Sequence, residues 1–425
     1  MRTALAVVAG RAVRVVARLR GGGSAMPGRV TLLVEPRFLT RAVEKLPLGV
    51  VFVSGSNGKS TTTHMLVGML RAHGVRVFSN PSGANLPQGV ASALLSEVPL
   101  NGRVDADIAV LEVDEAYGAR LATSLAPHSV LLINVQVDQL NRFHEPDRVV
   151  GMLESFARGA SRHLVVNADD HNLVALAERL APVSGAAVDS FAMTPALLAE
   201  SAWLARGDNP ALAGAVDAGL APSVLVTAAD GAAATLDIAG TSVQVVLPAR
   251  GLHYAVDAAA AAAMARALLG DRFDPALAAS GLGSMEAVYG RGEVLKTAAG
   301  EELEILMMKN PPSLQVNLDA LEAAPEQLFV AVDEGTPDPS WVYGSDLSKI
   351  AQVDVLSGTK SWQFATRFGY DDIDVKAVVP ELAPALAQFL ALPRPSRGRK
   401  VLLVNYEQMM LIRKILGYKE LEGAS

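Results

Sequence analysis

From Gly49 to Leu66 the chain reads G-V-V-F-V-S-G-S-N-G-K-S-T-T-T-H-M-L, and no other stretch narrows the fold as far. Val50 to Val53 is a short apolar, mostly β-branched run, the pattern of a strand buried on both faces of a parallel sheet. It breaks into Ser54-Gly55-Ser56-Asn57-Gly58-Lys59-Ser60, and Ser60 to Ala72 then reads as a helix. Strand, glycine-rich turn, Gly-Lys-Ser and helix, in that order, predict a phosphate cradle. Glycines let the turn close tightly and aim N–H groups at anionic oxygens. The helix N-terminus adds positive potential. Lys59 can reach the β- and γ-phosphates of a nucleoside triphosphate, and the Ser60 hydroxyl can ligate Mg²⁺. Gly55, Ser56, Asn57, Gly58, Lys59, Ser60 and Thr61 are the expected nucleotide contacts. The usual spacing G-x-x-x-x-G-K-[ST] is not met, because Val53 stands where the first glycine belongs; the pattern is the shorter G-[ST]-N-G-K-[ST]. A chance Gly-Lys-Ser turn is the alternative, and the flanking strand and helix count against it.

A chain of 425 residues calls for two or three domains, and its 50% apolar content can furnish their cores. The formal charge of −7 gives no general argument for nucleic acid. The absence of cysteine excludes a Cys nucleophile, disulfides and Cys-based zinc sites in this chain. No apolar run reaches the roughly 18–20 residues of a membrane span. Arg2 to Arg20 reads as a basic amphipathic helix, either packed on the domain or resting near an anionic membrane surface; Arg11, Arg14, Arg18 and Arg20 follow the short apolar run Ala4–Ala9, whereas a signal peptide carries its positive charge mainly before such a run.

From Gly49 onward strands and helices alternate, as in a doubly wound α/β sheet. Strands are expected at Arg29–Val34, Val75–Phe78, Asp107–Val113, Ser129–Val135 and Leu164–Asn167. Segment 182–248 is Ala- and Gly-rich and reads as a variable β-containing insert in the central domain, with short strands expected at Ser223–Thr227, Ala234–Ile238 and Val243–Leu247. Gly251–Leu269 reads as an alanine-rich helix. The α/β alternation resumes with strands at Glu302–Met307, Leu328–Asp333 and Val401–Val404. Carboxylates at the carboxyl end of a strand beside such a loop commonly face Mg²⁺, which points to Glu112, with Glu115 second. An acidic helix N-terminus accounts for Asp114 and Glu115 as well, but poorly for Glu112.

The G-S-N-G-K-S-T-T-T stretch resembles the signature of the Mur ligases and folylpolyglutamate synthases, which activate a carboxylate with ATP. Further segments resemble one branch, the MurT subunits of lipid II isoglutaminyl synthase. Asn80-Pro81-Ser82-Gly83-Ala84-Asn85 is similar to the family's N-x-x-G-[AS]-N and implies a nucleotide or substrate contact at Asn85. Glu112-Val113-Asp114-Glu115-Ala116 matches the MurT-like E-V-D-E-A, whose first glutamate is a magnesium ligand. Asp138-Gln139-Leu140-Asn141 resembles D-Q-L-D, so Gln139 favours the MurT branch over an amino-acid-adding ligase; His144 reads as a surface residue. Asn167-Ala168-Asp169-Asp170 resembles a segment that lies near the nucleotide.

Where the family carries G-x-[HY]-N-x-x-N, this chain has Gly251-Leu252-His253-Tyr254-Ala255-Val256-Asp257. Both asparagines are replaced, leaving Tyr254 to stack on a base and Asp257 to accept from an adenine amino group. Gly290-Arg291-Gly292-Glu293 resembles G-R-G-E, whose arginine approaches the phosphates, a task suited to a planar, permanent cation. Many MurT-like chains hold a four-cysteine zinc ribbon in the 182–248 region; here no zinc is expected.

Lys309-Asn310 matches the start of K-N-P-A-G-x-N, and Asp338-Pro339-Ser340-Trp341-Val342-Tyr343-Gly344-Ser345-Asp346 resembles D-x-S-W-x-[WY]-D-x-D. In the family an aspartate from this region completes a Cys-His pair in a partner amidotransferase. Asp338 is the first choice and Asp346 the second, the alternative being an aspartate that merely starts a turn before Pro339.

The resemblance therefore implies an α/β Mur-ligase-like architecture: a lead-in at residues 1–45, a central P-loop ATPase domain at 46–295 and a smaller Rossmann-like α/β domain at 296–425. It implies ATP and Mg²⁺, a GatD-type glutamine amidotransferase as partner, and amidation of the D-glutamate α-carboxylate of lipid II through an acyl phosphate. The expected place is the cytoplasm, at the inner face of the plasma membrane. The missing cysteine agrees on one point: a Cys-dependent glutaminase must reside in another chain. Two other readings stand beside it, an amino-acid-adding Mur or folylpolyglutamate-type ligase and a non-catalytic scaffold for the amidotransferase.

Overall fold

The computed structural model describes residues 2–19, 25–80, 84–136, 146–200, 220–285 and 291–418. The expectations for Asp138, Gln139, Asn141 and His144 lie outside the described residues.

The central sheet has nine strands in the order β2-β3-β1-β4-β5-β6-β7-β8-β9. These are β1 (Gly49–Ser54), β2 (Val77–Ser79), β3 (Ile108–Glu112), β4 (Ser129–Leu132), β5 (His163–Asn167), β6 (Ala187–Met193), β7 (Val224–Asp230), β8 (Ala233–Ile238) and β9 (Thr241–Val246). Pairing is parallel from β2 through β7 and antiparallel for β7-β8-β9. Every residue of β1 is buried, and successive side chains alternate between two cores because the strand period is two. Val51, Val53, Val110, Leu131 and Val165 join the Lys59–Ala72 and Leu252–Leu269 helices on one face. Val50, Phe52, Leu111, Leu132 and Val166 join the helices Pro87–Glu97, Pro146–Ala157 and His171–Ser184 on the other. Leu252–Leu269 buries a run of alanines from Ala258 to Ala263; side chains this small let it lie close against the Lys59–Ala72 helix.

A second sheet, of order β10-β11-β16-β12-β14, comprises β10 (Arg291–Lys296), β11 (Glu302–Met307), β12 (Leu328–Ala331), β14 (Val355–Ser357) and β16 (Lys400–Val404). Only β10 runs antiparallel to its neighbour. Two short strands, β13 (Gln352–Val353) and β15 (Asp374–Val375), pair in parallel beside it.

Three expectations need correction. The Arg29–Val34 strand is the second half of a helix, Ala25–Val34. Its apolar run alone did not separate strand from helix, and tight helix packing decides the outcome. A Cβ at Gly28 would stand 1.9 Å from the Gln88 carbonyl oxygen of Pro87–Glu97, so only glycine admits that approach. The 182–248 stretch is not a separate insert, because β6 to β9 extend the central sheet itself. The second domain starts before residue 296, because Arg291–Lys296 pairs with Glu302–Met307 as the edge strand of the second sheet.

Candidate functional site

The carboxyl ends of the central strands and the loop after β11 meet at a cavity of about 360 Å³. Its lining includes every residue from Ser56 to Thr61, together with Asn85, Glu112, Asp169, Asp257 and, from the second domain, Lys309 and Asn317. Parallel sheets present their loops at this edge, which is where ligands of such folds lie.

The turn after β1 is held from beneath. Gly55 (φ 146°) and Gly58 (φ 83°) adopt backbone conformations that L side chains rarely take. At Gly58 a Cβ would also stand 2.4 Å from Asp257 Oδ1. Asn134, just after β4, accepts the Ser56 N–H through its carbonyl oxygen (3.0 Å) and the Asn57 N–H through Oδ1 (2.9 Å). The Gln136 N–H donates to Ser56 Oγ (2.9 Å), and Asn57 Nδ2 donates to Gln136 Oε1 (2.7 Å). Asn310 Nδ2 reaches across from the second domain to Asn57 Oδ1 (3.2 Å). The helix that follows has Gly58 as its N-cap and no side-chain cap, so its positive end faces the cavity without an anion of its own.

Lys59 turns back on this turn. Its Nζ donates to the Gly55 and Ser56 carbonyls and lies 3.1 Å from Glu115 Oε2. Both charged side chains are almost wholly buried, at 11% and 1% exposure. Glu115, expected as a second magnesium ligand, is thus Lys59's ion-pair partner and does not line the cavity. Asp114 caps the Glu115–Leu125 helix by accepting the Ala116 N–H (3.0 Å), the plain role open to it in the sequence. Glu112 is different. It ends β3 directly beside Val53 of β1, lines the cavity, and its carboxylate has no hydrogen-bond or ion-pair partner among the described residues. The Glu112 backbone is clamped by Asn80, which accepts its N–H (2.9 Å) and donates to its carbonyl (3.1 Å); Asn80 also donates to the Ala84 carbonyl, bringing the loop around so that Asn85 lines the cavity.

Those features test the fit of Mg²⁺. Among the described residues no group of three or more His, Cys, Asp or Glu could hold a metal ion, so protein ligands alone do not enclose one. Glu112 and the Ser60 hydroxyl, both on the cavity wall, suit a cation that keeps most of its shell for phosphate oxygens and water.

Asp169 and Asp170, after β5, are two buried carboxyls side by side, and Asp169 lines the cavity. Burial pushes both carboxyls up to about 6. The Met193 N–H (2.7 Å) opposes that for Asp169, and the negative charge of Asp170 adds to it. Asp170 is opposed by the N–H groups of Val135, Leu173 and Asn172, and it caps the His171–Ser184 helix.

Tyr254 is corrected by the structure. It is 2% exposed within the central core and lines a second, smaller cavity instead. The helix register brings His253, Val256 and Asp257 to the main cavity. Arg291 lies in β10, and its side chain is outside what the structure describes. Asp338 and Asp346 do not line the cavity. Asp338 is exposed and accepts the Ser340 N–H (2.9 Å) at the head of the Pro339–Gly344 turn; the Ser340 side chain first, and then its N–H, hold the carboxyl below the usual range. Asp346 accepts the Ser348 N–H, and its own N–H donates to Gln315 (2.8 Å). Asn134, Gln136 and Asn317 are on the cavity wall without a motif spacing to mark them, because the fold alone brings them together; His253, also on the wall, fills the [HY] place of the motif quoted above but is not among the site residues expected from it.

Residues 53–196 match the Mur ligase middle domain family. Over 84% of its length the chain is 26% identical to subunit MurT of a glutamine-hydrolyzing lipid II isoglutaminyl synthase from Streptococcus pneumoniae, covering 83% of that protein. Its fold superimposes on MurF from Acinetobacter baumannii with a TM-score of 0.67, at 20% identity, over 90% of this chain and 80% of that one. It also matches a Mycobacterium tuberculosis folylpolyglutamate synthase, solved with ADP and AMPPCP, at a TM-score of 0.65 and 14% identity, over 97% and 99% of the two chains. Fold and relatives together define a Mur-type α/β enzyme, an ATP-dependent ligase. Within that class the chain is similar to MurT subunits.

Proposed function

We propose that this chain is the synthetase subunit of a two-chain amidase-ligase system, converting the D-glutamate α-carboxylate of lipid II to the D-isoglutamine amide with ATP and with ammonia released from glutamine by a GatD-type partner. The observation that carries the proposal is the cavity itself: an uncapped helix N-terminus, Lys59 and a Glu112 carboxylate without a partner among the described residues open on one space, in a chain similar to MurT along most of its length. A carboxylate is a poor electrophile, because its negative oxygens repel nucleophiles and oxide is no leaving group. Attack of that carboxylate on the γ-phosphorus, with loss of ADP, gives an acyl phosphate; ammonia then adds at the acyl carbon and inorganic phosphate leaves. The protein's part is positioning and charge neutralisation. Residues Ser56 to Thr61 hold the triphosphate, and Lys59 leaves Glu115 to meet the transferred phosphoryl. Glu112 and Ser60 would hold Mg²⁺, which would supply charge neutralisation at the triphosphate. Asp257 accepts from the adenine amino group, and His253 takes the stacking role expected of Tyr254. Arg291 approaches the phosphates.

Asp338 is the residue offered to the partner. It is exposed, held as a carboxylate and not part of the cavity wall, which leaves it open to orient another chain's histidine. The complex of both chains, given lipid II and ATP, is expected to form the amide from glutamine or from ammonium. Asp338→Asn is expected to abolish the glutamine-driven reaction and spare the ammonium-driven one. Loss of both, or of neither, removes Asp338 from that role, with Asp346 next to be tried. Peptide formation with an added amino acid, and no amide, sinks the amidation reading in favour of an amino-acid-adding ligase. The retracted Lys59 favours one further reading, a scaffold that binds the amidotransferase without chemistry; a Lys59→Ala chain that leaves cellular amidation intact and still binds the partner would support it.

A further inference from the structure

The Arg2–Leu19 helix packs on the protein through Thr3, Ala6, Val7 and Gly10 and leaves a second apolar face outside, where an ordinary surface helix is polar. Arg11 donates through Nε to the Leu95 carbonyl (3.0 Å) and through Nη2 to the Val98 carbonyl (2.6 Å), at the C-terminal end of Pro87–Glu97. Arg14 donates to the Ser92 carbonyl (3.0 Å), and Arg2 to the Val34 carbonyl (2.7 Å). At Gly10 a Cβ would meet Thr31 Oγ1 at 2.2 Å, so the helix is seated without slack. With its rotation fixed in this way, Leu5, Val8, Val15, Val16 and Leu19 face solvent, at 63%, 53%, 59%, 47% and 82% exposure. At 3.6 residues per turn these five positions fall within roughly 100° of arc, a single stripe. The paired helix Ala25–Val34 adds Met26 and Leu33, seven residues apart and exposed at 51% and 81%.

An apolar stripe of this size in solvent needs an occupant. The charge around it selects one. Residues 1–34 contain Arg2, Arg11, Arg14, Arg18, Arg20 and Arg29 and no acidic residue, in a chain whose net charge is −7. Two copies of such an end repel each other. An anionic lipid surface attracts it and also takes up apolar side chains at the depth of the headgroups. No described helix is long and apolar enough to cross a membrane. We infer that the outward stripe of Arg2–Leu19 is a membrane-docking face that lies in the interface of an anionic bilayer. The inference stands apart from the amidation reading, since neither nucleotide nor lipid II is needed for it.

The test is sedimentation of the full chain with vesicles, either pure phosphatidylcholine or equal parts phosphatidylcholine and phosphatidylglycerol, without nucleotide. The wild type is expected to pellet with the anionic vesicles and not with the neutral ones. Leu5→Asp with Leu19→Asp, both at exposed positions, is expected to weaken that partition at least tenfold with an unchanged thermal midpoint. If the acidic pair lowers the midpoint, Leu5→Ser with Leu19→Ser provides the same comparison without added charge. Failure of the wild type to pellet, or equal pelleting of wild type and stripe variant, overturns the inference. So does a concentration-dependent dimer that the stripe variant abolishes, because a second copy would then be the occupant.

Discussion

Two strand–loop–helix units face each other across the cavity, and they end their loops in opposite ways. After β1 the helix Lys59–Ala72 begins at Gly58, with no side chain to satisfy its first N–H groups. After β11 the helix Pro311–Asp319 begins at Asn310, whose side chain accepts the Ser313 N–H (2.9 Å) while Ser313 Oγ accepts the Asn310 N–H (2.9 Å), a reciprocal capping box. The second helix N-terminus is saturated by its own residues; the first is left for a ligand. On the proposed function, the contrast puts the triphosphate on the central domain's wall. The second domain contributes Lys309 and Asn317 to the rim, and Asn310 as a tie to Asn57.

The largest effect is expected where the open wall stores charge. Lys59→Met strands a buried Glu115, and breaking such a pair costs about 3–5 kcal/mol. It is also expected to lower kcat by about 10²–10³, the usual loss when one charge-stabilising donor is removed. Adding Glu115→Gln should restore most of the stability and none of the activity. Thermal unfolding and single-turnover assays separate the two effects. Recovery of activity in the double variant would mean that Lys59 serves the fold alone.

Gly58→Ala attacks the same wall by shape. The left-handed φ costs a non-glycine residue about 1–2 kcal/mol, and the new Cβ meets Asp257. Nucleotide affinity by calorimetry is expected to fall about 100-fold, roughly 2.7 kcal/mol. An unchanged affinity would move the triphosphate away from this turn.

How far the sequence speaks differs between these walls for physical reasons. The open one is written as a local motif, since a positive-φ glycine, a lysine and a hydroxyl must follow in fixed order, and Gly55 to Thr61 could be read directly. Glu112 was legible because a strand end beside that motif is a fixed place in the fold. Glu115 was not, because whether a carboxylate meets a metal or Lys59 depends on side-chain reach across elements. Tyr254 and His253 differ by one helical step of about 100°, too fine a distinction where replaced asparagines leave the register unmarked. The Arg29–Val34 error has the same origin: short apolar runs fit strand and helix alike until Gly28 meets its neighbour.

A smaller effect tests the floor of the open wall. Asp169 is raised from 3.8 to about 6 by burial, so the fold favours its protonated form. Relative to the unfolded chain, its contribution is most favourable below about pH 4. It is lost as pH rises toward 6 and stays lost above that. Asp169→Asn keeps an oxygen for the Met193 N–H and removes the charge. It is expected to raise stability at pH 7.5 by about 2 kcal/mol and to flatten the fall between pH 4 and 6. Equal pH profiles for wild type and variant would show that the carboxyl is ionised at no cost.

The smallest effect belongs to the closed wall, and it sharpens the contrast most directly. Asn310→Ala removes a helix cap, a loss of about 1 kcal/mol, and also the 3.2 Å bond to Asn57. If the second helix N-terminus is closed by its own side chains, freeing it should not create a phosphate site. Nucleotide affinity should then change less than about threefold, under roughly 0.7 kcal/mol, while the thermal midpoint falls. Asn310→Asp refines the comparison: it retains the cap, because an aspartate accepts the Ser313 N–H equally well, but cannot donate to Asn57. A normal midpoint with weakened nucleotide binding would then identify the Asn57 tie, rather than the cap, as the link between the second domain and the phosphate turn. Affinity that rises on uncapping, in Asn310→Ala but not in Asn310→Asp, would place anion binding on both walls and dissolve the division drawn between them.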